Sequence, residues 1–187
     1  MFKWGKKPEA KPEVERDPNL DRLLVGEYRR LEDTITEKLY AGVEPFRPVE
    51  LRFFCISAIV VLIAVSVKDM SDEEKEAEAR RFFEFGTFEI FSESEYSQDD
   101  ENLPRIENSF AHRHSIYGDP IYSWLFQESL EAGLVIVADL DHHVWVNERS
   151  GFELPAALRE LQNALMDAGR VLHAAYRAYP PNGARTT

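Results

Sequence analysis

The 187-residue chain contains only one cysteine, Cys55, so no intramolecular disulfide and no zinc site built mainly from cysteine can form. It also lacks the motifs of common catalytic and cofactor sites. There is no GxSxG elbow, no Walker-type phosphate loop, no GxGxxG, no HExxH and no CxxC. The sequence therefore identifies no catalytic residue, no metal ligand and no cofactor-binding residue, and it favours a protein that is not an enzyme.

The N-terminus lacks the apolar stretch of a secretory signal. Residues 1–7, Met-Phe-Lys-Trp-Gly-Lys-Lys, are basic, but no apolar segment follows them, so we expect no cleavable signal peptide. Residues 1–16 mix Lys, Glu and Pro with little to bury, which predicts a flexible arm. Residues 181–187 predict a polar tail.

The formal charge of -12 is unevenly distributed along the chain. Residues 1–52 contain equal numbers of basic and acidic side chains, so the whole excess of negative charge falls on residues 68–187. An acidic field of this size repels phosphate backbones, which argues against nucleic-acid binding. It suits either a solvated surface or a surface that attracts a basic protein partner.

Residues 17–42 predict an amphipathic helix. Asp17 suits the N-cap, Pro18 the first helical position and Gly42 the position just after the helix. Apolar residues recur at threes, fours and sevens along one face: Leu20, Leu24, Leu31, Ile35 and Leu39. This face predicts packing against a core, a partner helix or a membrane surface.

Residues 51–70 contain the most informative segment, an uncharged apolar run from Phe53 to Val67. It is too long for one strand and has no turn signal, so it predicts a helix that is apolar on all faces. We interpret it as a single transmembrane span, with the buried core helix of a soluble domain as the alternative. Arg47 and Arg52 precede the run and acidic residues follow it, which predicts a cytoplasmic N-terminus.

Residues 71–180 predict an acidic α+β domain. Ser71 and Glu74 form a capping-box pattern that opens a helix. Asp119-Pro120 predicts the start of a second helix that ends at Gly133, and Pro155 predicts the start of the last helix. Three short runs predict strands: Thr87–Phe91, Leu134–Ala138 and Val144–Val146.

All five histidines lie in the C-terminal half, and four of them belong to groups of candidate metal ligands. The two groups that stand out are His112 with His114, and the run Asp139, Asp141, His142 and His143. Two imidazoles with one or two carboxylates can hold zinc or iron. Nothing in the sequence brings the two groups together, so the simpler interpretation is a polar turn with surface histidines.

Three functional hypotheses follow, in order of preference. The first is a non-enzymatic, single-pass membrane-anchored accessory subunit that engages a protein partner through its acidic domain. The second is a soluble, cytoplasmic inhibitor or accessory protein that neutralises a basic partner, with residues 53–67 as its core helix. The third is a small metal-dependent hydrolase that uses the histidines.

Overall fold

The computed structural model describes residues 17–40, 45, 47–67, 70–92, 103–145 and 154–180. Over these residues the chain forms six α-helices, and a π-helical turn, Ile35–Leu39, directly continues the first of them. The helices are α1 (Pro18–Thr34), α2 (Pro48–Ser66), α3 (Asp72–Ser92), α4 (Leu103–Gln127), α5 (Leu130–His143) and α6 (Leu154–Ala178). The predicted arm, residues 1–16, and the predicted tail, residues 181–187, lie outside the described residues.

Helix α1 begins at the residues that the sequence marks as a start. The Asp17 carboxylate accepts a hydrogen bond of 2.9 Å from the backbone N–H of Asn19, and Pro18 occupies the first turn, where no intrahelical N–H bond is lost. The apolar face of α1 and of the turn after it is buried, from Leu20 through Leu39. This face packs against α2 and α6.

Helix α2 lies at the centre of the fold. Every side chain from Phe53 to Ile63 is buried, and none is more than 6% exposed. Four other helices contact α2, namely α1, α3, α4 and α6. The helix can be apolar on all its faces because each face meets protein rather than water.

Helix α2 also meets the length and composition requirements of a membrane span. An 18-residue window, Pro48–Val65, is apolar enough to cross a bilayer, and 67% of that window is buried inside the protein. A core helix passes the same test of length and composition. The helix is therefore long enough to span a membrane, while most of its surface is already covered by its own chain.

The first turns of α2 are joined to three other elements by polar contacts. The Glu50 carboxylate forms a 2.7 Å ion pair with Arg113 of α4, and Arg52 lies 3.5 Å from the Glu32 carboxylate of α1. The backbone N–H of Arg47 donates a 2.9 Å hydrogen bond to the carbonyl of Val144, just after α5. These contacts fix how α2 enters the bundle.

The prediction of an α+β fold is wrong, because the described residues contain helices and no strand. Leu134–Ala138, predicted as a strand, lies inside α5. A short apolar run does not distinguish a strand from a buried helix by its pattern alone. Here the buried positions follow helical spacing (Gly133, Ile136, Val137 and Leu140), and the Ser129 hydroxyl caps the helix by accepting from the N–H of Ala132.

The other two predicted strands are also wrong where they are described. Thr87–Phe91 continues α3, which reaches Ser92. Val144 forms a turn whose N–H donates to the carbonyl of Leu140, and residue 146 lies outside the described residues. In the first place the chain continues a helix, and in the second it ends one.

The helix boundaries predicted from Pro120 and Gly133 are wrong, because these residues lie inside α4 and α5. Pro120 lies inside α4, although it lacks the N–H of a continuing helix. Tyr117 and Ile121 on either side of it are fully buried, so packing holds the helix together through the proline. Gly133 does not end a helix but lies in the first turns of α5, beneath Trp124.

Gly133 allows α5 to approach α4 closely. A Cβ atom at residue 133 would lie 2.6 Å from Cε2 and 2.7 Å from Nε1 of the Trp124 indole, which is too close for any side chain. Gly26 of α1 has no atom within 4 Å of the same position. A Cβ atom therefore has room at Gly26 but not at Gly133.

We expect Gly133→Ala to lower the free energy of unfolding by about 1–3 kcal/mol, because the buried Trp124 ring must shift. Gly26→Ala is the matched control and should raise it by up to about 1 kcal/mol through helix propensity. Urea denaturation followed by circular dichroism measures both. Equal effects of the two substitutions would contradict the close packing of α4 against α5.

Candidate interaction surface

The histidines and carboxylates that were candidate metal ligands lie on two helices. His112 and His114 are on α4, whereas Asp139, Asp141, His142 and His143 are on α5. An extended run would place alternate side chains on one face, but in a helix residues two apart point in different directions. Across the described residues, no group of three or more His, Cys, Asp or Glu side chains is arranged to hold a metal ion.

His114 is a core residue rather than a surface ligand. It is 7% exposed, and its imidazole meets the ring of Phe83 edge-on, with centroids 6.3 Å apart. It also covers Gly118, where a Cβ atom would lie 2.9 Å from its Cε1. Burial lowers the pKa of His114 to about 4, and the nearby Asp119 carboxylate only partly offsets this.

This pKa predicts acid destabilisation. The unfolded chain binds a proton at His114 below about pH 6.5, whereas the folded chain binds it only near pH 4, so the neutral form stabilises the fold above pH 6.5 and the benefit is lost as the pH falls. Between pH 7 and pH 5 the loss is roughly 2 kcal/mol.

We expect His114→Leu to reduce the pH dependence of unfolding by about this amount, measured by urea denaturation at both pH values. His112→Gln, at an exposed position of the same helix, is the control and should leave the pH dependence unchanged. The same dependence in the His114 variant and the wild type would contradict the assignment.

Cys55 is also unsuited to chemistry. It is fully buried in α2, and burial raises the pKa of its thiol well above the ordinary value, with further increases from the Glu32 and Asp33 carboxylates. A thiol in such surroundings stays protonated and is a poor nucleophile. Its role in the described structure is that of a small apolar core residue.

Two side chains that contact α2 from neighbouring helices have raised pKa values. Burial raises the pKa of the Glu32 carboxyl, and the attraction of Arg52 only partly opposes this shift. Burial likewise raises the pKa of Tyr117, and the Glu50 carboxylate raises it further. Tyr117 also packs edge-on against Phe54, with ring centroids 5.5 Å apart. These groups are best explained as contacts between helices.

The acidic residues at the start of α3 form a run that has local structural roles: Asp72, Glu73, Glu74, Glu76 and Glu78. The capping box forms as predicted: Ser71 N–H donates to the Glu74 carboxylate at 2.8 Å, and Glu74 N–H donates to the Ser71 hydroxyl at 3.3 Å. Glu78, from the same run, is buried, and the Tyr176 hydroxyl of α6 donates to it at 3.1 Å. The run therefore caps and anchors α3.

Exposed apolar side chains surround the bend between α4 and α5. Tyr122 is 44% exposed, Phe126 is 40% exposed, and their rings lie side by side with centroids 5.6 Å apart. Leu130, at the start of α5, is 64% exposed, the highest value among the large exposed apolar side chains of the described residues. We call Tyr122, Phe126 and Leu130 the α4–α5 tip.

Acidic side chains flank this tip. Asp119, Glu128 and Glu131 are exposed, and none of them forms an ion pair with a described residue. The sequence from 114 to 145 contains five Asp or Glu and no Lys or Arg. Elsewhere on the described surface, acids such as Asp72 and Asp167 have a basic partner three residues away. The tip combines apolar surface with negative charge that no described cation neutralises.

The sequence pattern does not reveal this surface. It predicts one helix from Asp119 to Gly133 and so misses the break between α4 and α5 that precedes Leu130. Two features mark the break between the helices. Glu128 adopts a positive φ of 57°, and the N–H of Ser129 donates to the carbonyl of Ser123 at 3.1 Å. A signal was available in the sequence, which contains no Lys or Arg from residue 114 to residue 148.

Comparison of the chain with protein-family models, with curated proteins and with solved structures gives no match. What the protein does is therefore inferred from its own residues.

Proposed function

We propose that the chain is a non-enzymatic helical interaction protein that binds a basic protein partner through its acidic surface, with α2 as its core helix. The observation that carries the proposal is the hairpin of α4 and α5, which exposes aromatic and aliphatic side chains among acids that form no ion pair with any described residue. Negative charge attracts a basic partner and sets the rate and specificity of association, while apolar contact supplies affinity.

The packing of α2 supports the core-helix form of the proposal over a membrane anchor. Phe53 to Ile63 are enclosed by the chain's own helices, so little apolar surface of this stretch remains for lipid. Glu50 and Arg52 near its start are paired with α4 and α1, and extraction of α2 into a bilayer would break both pairs. One observation still favours the membrane-anchored form, namely the length and composition of α2.

Extraction of membranes separates these two forms. We expect the full chain, expressed without detergent, to appear in the soluble fraction, and any membrane-associated portion to be released by alkaline carbonate. The physical reason is that α2 is already removed from water by protein. Retention of the intact chain in the carbonate-washed membrane pellet would contradict the core-helix form.

Binding of a defined cationic probe tests the interaction itself. The probe is a 14-residue peptide of Leu and Lys with Leu at helical spacing, and the control peptide has Glu in place of each Lys. We expect the Lys peptide to bind the full chain and to lose about tenfold or more in affinity between 50 and 500 mM NaCl, because salt screens exposed charges. Fluorescence anisotropy of the labelled peptide measures this. Equal binding of both peptides would contradict the proposal.

A further inference from the structure

Beyond a general acidic surface, we infer that the α4–α5 tip is the docking site of a partner segment that presents apolar side chains flanked by Lys or Arg. The inference rests on the proposed function and assigns it a location. Tyr122, Phe126 and Leu130 supply the apolar contact, and Asp119, Glu128 and Glu131 supply the charge.

The geometry of α4 places charge and aromatic surface on one side of the helix. Asp119, Tyr122 and Phe126 are spaced by three and four residues, so they lie along one exposed face. Two adjacent aromatic rings with a leucine one bend away form the kind of apolar centre on which binding energy concentrates. A basic segment laid along this face meets the rings with its apolar residues and meets Asp119 with a cation.

The negative charge around the α4–α5 tip determines which kind of partner segment can bind there. Glu131 lies in the first turn of α5, where its charge also suits the helix dipole. Asp119 and Glu128 have no such local use. Glu128 moreover holds a left-handed backbone conformation, at φ 57°, that glycine adopts at lower cost. Three carboxylates that no described cation neutralises repel an acidic partner, and a second copy would bring the same three charges against them.

Substitutions at matched positions test the location with the same Leu–Lys peptide. Tyr122→Ser with Phe126→Ser should weaken binding by at least tenfold. The control pair is Leu23→Ser with Met166→Ser, which are 40% and 43% exposed on α1 and α6, and it should leave affinity within twofold of the wild type. All four positions are solvent-exposed, and thermal unfolding checks that every variant is folded.

A second set of substitutions tests the charge. Neutralising the tip acids with Asp119→Asn, Glu128→Gln and Glu131→Gln should weaken binding about tenfold and flatten its dependence on salt. The matched control neutralises three exposed acids of α3: Asp72→Asn, Glu73→Gln and Glu76→Gln. It removes the same number of charges but should cost no more than about threefold.

Shift mapping by NMR on the full chain completes the test. The expected result is that amide signals of residues 119–135 change most when the Leu–Lys peptide is added. If the peptide binds with salt-dependent affinity but both charge variants weaken it equally, or the changes centre on α3 or α6, the docking site is wrong while the proposed function stands. No binding to the wild type overturns both. Self-association that Phe126→Ser abolishes would make a second copy the occupant and overturn the inference.

Discussion

Removal of the α2 side chains from water is the constraint on which the rest of the fold depends. Each fully buried Val, Leu, Ile or Phe contributes about 1.5–3 kcal/mol when it leaves water, and α2 presents such residues in every direction. A helix of this kind cannot sit at a surface, so the chain surrounds it with α1, α3, α4 and α6. The amphipathic character of α1, with one apolar and one charged face, is the complement of α2.

Polar contacts between helices give this apolar bundle a defined arrangement. Apolar packing is tolerant of sliding and rotation, whereas a buried carboxylate is costly unless it meets a specific donor. The half-buried Glu50 pairs with Arg113 and the buried Glu78 accepts a hydrogen bond from Tyr176, and each contact joins helices that are far apart in sequence. Burial between helices is also the main cause of the shifted pKa values of His114, Cys55 and Tyr117.

The sequence pattern predicts the features that are encoded locally. Asp17 and Ser71 mark helix starts through bonds to residues two or three positions away, and the length of the run after Arg52 was enough to identify a helix. The pattern fails where contacts between residues far apart in sequence determine the structure. Leu134–Ala138 has the composition of a strand but lies inside α5, which packs against α4 and α6. Gly133 looked like a stop, although it is the point of closest approach to Trp124. The exposed tip was missed for the same reason, since it is defined by which helix faces are left uncovered.

The position of Cys55 has a consequence for how the molecule opens. Its sulfur lies at the centre of the bundle on the helix that four others contact, so a reagent reaches it only after neighbouring helices have separated from α2. The rate at which the Cys55 thiol is alkylated therefore measures how often the helices around α2 separate, and it does not respond to local motion at the surface.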